Sequence, residues 1–246
     1  MPDFRLVLAA TLGFSLPAGL PAWAVELQHN PVAVVELFTS QGCASCPPAD
    51  ALLGALAERG DVVALSYHVD YWDYAGWPDT FGSPEHTALQ RAYVESWGRS
   101  RIYTPQIVIN GHSGIVGTKV DEVSEALESA YMPLGLAVSV DSAGETLTIL
   151  AQGYSGANEA VVWLVPFIAH AEVLVERGEN AGQALSYTHV AGSRQVVGVW
   201  DPLRGTSVRL PLAESLPERY DGAAIIVQEK RGELPGAILG AAAFLR

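Results

Sequence analysis

Cys43 and Cys46 are the only cysteines in the 246-residue chain, and they stand as Cys43-Ala44-Ser45-Cys46. Two thiols at this spacing support two kinds of chemistry. One is thiol–disulfide exchange, in which one thiolate forms a mixed disulfide with a partner and the second thiol resolves it. The other is metal binding, in which both thiolates become ligands and other side chains complete the set. A purely structural bridge is the plainest alternative, but so short a ring constrains little of the unfolded chain. Zinc commonly takes four ligands, and there is no second cysteine pair. His29, His68, His86, His112, His170 and His189 include no pair at metal-ligand spacing. A Cu(I) or zinc site would therefore need Cys43, Cys46 and a distant histidine, His68 or His112. Exchange is the leading expectation, with Cys43 as exposed nucleophile and Cys46 resolving. It needs no cofactor.

These thiols need an element that lowers their pKa. A helix N-terminus does so through its unpaired N–H groups and its dipole. The flanking sequence supplies one. Val32 to Phe38 (VAVVELF) reads as a buried strand, Thr39 to Gly42 as a turn, and Ala49 to Arg59 as a helix ended by Gly60. Pro47 and Pro48 suit a first helical turn. Val62 to Val69 (VVALSYHV) reads as a second strand, which gives a βαβ unit with the cysteines at the helix start. Asp70 to Pro84 is an aromatic loop. Pro84 to Arg99 reads as a helix with Ser83 as N-cap. Thr104-Pro105 then leads into the strand Gln106 to Asn110, the Asn110-Gly111 turn, the strand Ser113 to Gly117, and a helix over Asp121 to Tyr131.

Beyond Met132-Pro133 the pattern becomes mainly β. Strands are expected at Leu136 to Val140, Thr146 to Gln152, Ala160 to Ile168, Gln195 to Trp200, Ser207 to Leu210 and Ala223 to Glu229. The expected organisation is a segment over 1–24, an α/β domain over 25–133, and a mainly β region over 134–246, such as a small sandwich packed on the first.

Composition narrows the setting. A hydrophobic fraction of 49% and a charged fraction of 17% suit a globular chain with a core. The net charge of −13 repels phosphate backbones, so nucleic acid is not an expected partner. Arg5, the apolar run Leu6 to Leu16 and Ala22-Trp23-Ala24 read as a secretory signal peptide. The expected setting is periplasmic or secreted, with no stable membrane insertion once that segment is removed. Such a compartment permits disulfides.

The order of strand, CxxC, helix, strand, then Thr104-Pro105 before a hairpin and a last helix, resembles the thioredoxin superfamily. The phrase VVELFTSQGCASCPPAD (Val34 to Asp50) resembles more closely a family of exported bacterial thioredoxin-like proteins catalogued as a domain of unknown function. The SYHVDYWD, TPQIVING and RGENAG segments carry the same resemblance, which spans nearly all of the chain after residue 24. It implies a thioredoxin-like fold and a cis Pro105. Thr104 and Pro105 would shape a substrate slot, and Glu36 is either a buried acid relaying a proton to Cys46 or an edge-facing or hydrogen-bonded glutamate. The family carries no established substrate; the leading reading of the motif is exchange with an exported protein or small thiol, reset by a separate redox partner. Two departures from ordinary thioredoxin stand out: Gly42 replaces the usual aromatic residue, and Ala44-Ser45 separates the cysteines.

Other residues carry weaker signals. Tyr71 and Trp72 could line a substrate groove or simply pin their loop to the core. His68, Asp70 and Asp73 end the second strand, the edge that faces active sites in α/β sheets. A hydrogen-bonded structural histidine is the plain alternative for His68. Arg177 to Gly182, with Tyr187 and His189, is either a second site facing the CxxC or an ordered β loop. A binding module whose β half does the work is a third functional reading.

Overall fold

The computed structural model describes residues 26–28, 31–141 and 143–246; the expected signal segment lies outside them. The elements run in the order β1 (Glu26–Gln28), β2 (Ala33–Thr39), α1 (Pro47–Ala57), β3 (Val62–His68), α2 (Pro84–Ser96), β4 (Gln106–Ile109), β5 (Gly114–Val116) and α3 (Val120–Glu128). Then follow β6 (Leu136–Val140), β7 (Thr146–Ala151), β8 (Ala160–Leu174), β9 (Ala184–Ala191), β10 (Gln195–Trp200), β11 (Thr206–Pro211), α4 (Leu212–Ser215), β12 (Gly222–Arg231) and β13 (Leu234–Leu245). The protein is a mixed α/β fold built on a mixed sheet.

β2 and β3 pair in parallel at the centre of that sheet, and every residue of both is buried. A strand covered on both faces needs apolar residues at successive positions. Ala33, Val35 and Leu37 accordingly pack with Leu53 and Leu56 of α1 and Val123 and Leu127 of α3. Val34 and Phe38 face the other way, towards Tyr93 of α2. β4 runs antiparallel to β2, and β5 antiparallel to β4.

The sheet does not stop at the end of the first half. β9 pairs antiparallel with β8 and meets β3 in parallel at Ser66 and Val190. β12, β13 and β1 then extend it, in the order β1-β13-β12-β8-β9-β3-β2-β4-β5. A three-stranded sheet, β11-β7-β6, packs over β8, β12 and β13 around Trp200, Leu164 and Ile225.

Several boundaries differ from the sequence reading. α2 ends at Ser96 rather than Arg99, because Gly98 turns the chain at φ 68°. α3 ends at Glu128 rather than Tyr131, where Ser129 Oγ donates to the carbonyls of Ala126 and Glu125; such local bonds compete with helix continuation. Three strands, β1, β9 and β13, have no counterpart in the sequence pattern. Leu234-Pro235-Gly236 and the alanine-rich run that follows look unlike a strand. Pro235 is tolerated because β1 covers only the far end of β13, at Ala243 to Leu245.

The Asn110-Gly111 turn behaves as its sequence predicts, with φ 49° and 75°. Asn110 also supports the neighbouring strand, since its Oδ1 accepts the Val34 N–H at 2.8 Å. Asn110→Gly keeps the turn conformation but leaves that buried N–H unpaired. It is expected to cost about 2 kcal/mol, read as a lowered midpoint in urea unfolding.

Candidate functional site

Cys43 and Cys46 form a disulfide with Cα atoms 5.4 Å apart. Cys46 is the N-cap of α1, and its carbonyl accepts the N–H groups of Ala49 and Asp50 at 2.8 and 3.1 Å. Pro47 and Pro48 follow in the first turn, where no intrahelical N–H partner is lost. Cys43 is not exposed as expected: both cysteines are buried, Cys43 at 1% exposure. Ala44 and Ser45 between them are exposed.

The cover comes from the second half of the chain. Asn180, itself buried, sits in the loop between β8 and β9. Its Nδ2 donates to the carbonyls of Gln41 and Cys43 at 2.9 and 3.1 Å. The Arg177 to Gly182 loop therefore faces the CxxC. Gln41 is the anchor beneath it. Its N–H donates to Asp79, its Nε2 donates to Thr80 Oγ1, and its Oε1 accepts from Trp77 Nε1, each at 2.8 Å.

Trp72 closes another side. A Cβ at position 42 would lie 3.1 Å from Trp72 Cβ, so Gly42 lets the aromatic loop lie against the motif loop. The Trp72 indole N–H donates to Thr104 Oγ1 at 2.7 Å. The Thr104–Pro105 peptide bond is cis. A Cβ on Gly117 would lie 2.8 Å from Ala49 Cβ and 3.1 Å from Pro105 Cβ, so Pro105 lies beside the first turn of α1. The sequence-singled residues Cys43, Cys46, Trp72, Thr104 and Pro105 thus come together. Tyr71 packs next to Trp72, with ring centroids 6.4 Å apart.

Glu36 is not among them. It shares the face of β2 that holds Val34 and Phe38, and its carboxylate accepts from Tyr93 OH of α2, across the sheet from α1. Burial raises its pKa, against the opposing pull of Arg194 and Tyr93. The carboxyl on the cysteine side is Asp50, one helical turn beyond Cys46 and therefore on the same face of α1. Burial pushes Asp50 up to about 7. The field of His68 and the nearby Thr39 hydroxyl, which falls short of hydrogen-bond geometry, oppose that only in part.

His68 Nδ1 meets Asp79 Oδ2 at 2.8 Å, with both side chains fully buried. Burial alone would raise Asp79. The His68 charge and ring N–H, with the N–H groups of Gln41 and Phe81, outweigh it and hold Asp79 below the usual range. Around this pair, Thr39 Oγ1, both Asp50 oxygens, Ser66 Oγ, His68 Nε2 and Tyr187 OH are buried without a hydrogen-bond partner. These polar atoms make the interior beneath the CxxC unlike the apolar core that α1 builds with β2 and α3. His189 belongs elsewhere: its Nδ1 meets the Ala64 carbonyl at 3.0 Å. His112 lies in the β4–β5 turn and is exposed. Among the described residues no group of three His, Cys, Asp or Glu side chains is assembled to hold a metal ion. No described helix is long and apolar enough to cross a membrane.

Sequence reasoning missed Asp50, Asp79 and Gln41. A signal for Asp50 was available: it lies four residues after Cys46 and three before Leu53, on the stripe that α1 buries. Asp79 and Gln41 carry no comparable periodicity, because both sit in loops.

No curated protein matches the chain. An X-ray structure of protein AGR_C_4864 from Agrobacterium tumefaciens is similar at 35% identity and a TM-score of 0.77, covering 87% of this chain and 94% of that one. The family model described as protein of unknown function (DUF1223) matches residues 34–228, a span that holds the disulfide, Asp50, the His68–Asp79 pair, Pro105 and Asn180. The chain belongs to that family.

Proposed function

We propose that the protein is an exported thiol–disulfide oxidoreductase of thioredoxin-like architecture, acting through Cys43 and Cys46 on a protein or small-thiol substrate. The observation that carries this reading is the Cys43–Cys46 disulfide at the start of α1, set beside Pro105 and one turn from a buried carboxyl. The strand order β3-β2-β4-β5, with β2 and β3 parallel and the other pairs antiparallel, supports the architecture.

The chemistry follows from the geometry. A substrate thiolate attacks Cys43 Sγ, the Cys43–Cys46 bond breaks, and Cys46 leaves as a thiolate. In this reading Asp50, raised to about 7 and one helical turn beyond Cys46, gives Cys46 its proton once the disulfide opens. A second substrate thiolate then attacks the substrate sulfur of the mixed disulfide and releases Cys43. Two electrons pass from the substrate thiols to the CxxC, and the substrate leaves as a disulfide. The same steps in reverse reduce a substrate disulfide. A separate partner resets the pair. Trp72 and Tyr71 form the side of the slot, with Thr104 held by the Trp72 indole.

The test is the reduction potential of the full chain after residue 24, equilibrated in glutathione and dithiothreitol buffers and trapped by alkylation. Exchange activity predicts a two-electron transition between about −120 and −270 mV. A pair still oxidised below about −300 mV is a structural bridge, and the reading fails. A pair that titrates only after metal is stripped replaces it with a metal site on the same cysteines.

A further inference from the structure

We propose that a groove between α2 and the β8, β10, β12 and β13 strands binds a small amphipathic monocarboxylate, with Arg194 taking the carboxylate. The groove has a volume of about 450 Å³, within the range of small-molecule sites. It lies on the α2 side of the sheet, whereas the disulfide belongs to α1, so this inference does not depend on the redox reading. Its walls are apolar, from Leu89 of α2, Trp163 of β8, Val196 of β10, and Leu234 and Pro235 of β13.

Of the two cations in the lining, Arg194 and Lys230, Arg194 is the one without an ion pair among the described residues. The Arg194 guanidinium lies 4.4 Å over the Trp163 ring, and its Nη2 donates to Gln228 Oε1 at 2.8 Å. Its Nε is buried with no partner. Among the described residues no carboxylate lies within ion-pair distance of Arg194. The acid that senses it is Glu36, reached through Gln228 Nε2, which donates to Tyr93 OH at 2.8 Å, and through Tyr93, which donates to Glu36. No direct bond joins Glu36 to Arg194, so the guanidinium has the neutral Gln228 amide as its hydrogen-bond partner and no carboxylate against it. A guanidinium has five donors in a planar fork that fits a carboxylate.

The rim limits how much negative charge can enter. Lys230 is paired with Glu233 at 3.2 Å, and Glu229 accepts the Asn158 N–H at 2.8 Å. With Glu85 these acids repel a dianion such as phosphate. A single carboxylate on an apolar body answers both the cation and the walls.

The experiment titrates decanoate, decanol and decyltrimethylammonium into the full chain after residue 24, read by calorimetry and by the Trp163 indole N–H resonance. Decanoate is expected to bind about 10-fold more tightly than decanol, and the cation not at all. Arg194→Gln should level decanoate with decanol. Val196 is exposed, so Val196→Trp fills the groove without touching the buried network. It should abolish binding of both ligands, which keeps the test decisive if Arg194→Gln does not fold. Equal binding of acid and alcohol, decanoate binding unaffected by Val196→Trp, preference for the cation, or no binding of decanoate would each overturn the proposal.

Discussion

Asp50→Asn is expected to make the oxidised protein about 4 kcal/mol more stable at pH 8 and to change it little at pH 4. In the folded protein, burial above all raises the Asp50 carboxyl to about 7, whereas an unfolded chain releases that proton near about 3.9. Between those values the folded state holds a proton that the unfolded state has lost. Stability therefore falls as pH rises through this window and levels off above it. The displacement, from 3.8 to about 7, amounts to about 4 kcal/mol. Asparagine keeps the shape and removes the ionisation, so urea unfolding of the variant should lose this pH slope. The same substitution should remove an inflection near pH 7 from the rate at which dithiothreitol reduces the disulfide. An unaltered slope would mean that Asp50 ionises freely in the fold and does not hold the proton for Cys46.

Asn180→Ala is expected to speed reduction of the disulfide by about 10- to 30-fold. Cys43 is almost fully buried, so a small thiol must wait for local opening. Two Asn180 hydrogen bonds tie the β8–β9 loop to the motif carbonyls. At about 1 kcal/mol each, their loss makes opening easier by about that factor. Quenched alkylation under dithiothreitol measures the rate, and Asn180→Asp, which replaces a donor with an acceptor, should behave like alanine. A rate unchanged in both variants would show that thiols reach Cys43 without displacing this loop. The prediction also makes the second half of the chain a gate on thiol access to the disulfide that the first half carries.

Much of the first half was legible because its signals are local. β2 and β3 are continuous apolar runs, Ser83 is an N-cap whose Oγ accepts the Glu85 N–H at 3.2 Å, and Asn110-Gly111 turns a hairpin. The site was legible at its cysteines, at Trp72, Thr104 and Pro105, and in the Arg177 to Gly182 loop, but not at the buried groups beneath them. Asp50 was passed over despite its place on the buried stripe of α1, because a carboxylate near a helix start ordinarily faces solvent. Glu36 drew attention for lying in an apolar strand, yet strand alternation turns it away from α1. Asn180 and Gln41 meet across 139 residues of sequence, and no periodicity encodes such a contact. β13 stayed hidden because alanine and glycine pack well there for tertiary reasons that propensity does not carry.

The junction of β9 with β3 has a consequence for how the chain matures. Until residues 184–191 are available, one side of β3 presents bare peptide groups to whatever comes near. Such an edge is a template for pairing with other chains. A ribosome delivers the motif helix long before it delivers the strand that meets this margin at Ser66. The nascent protein thus passes through a stage in which its cysteines are already made and its flank is open. During that interval the thiols lack the Asn180 cover, and they meet oxidants and foreign thiols more freely than at any later time.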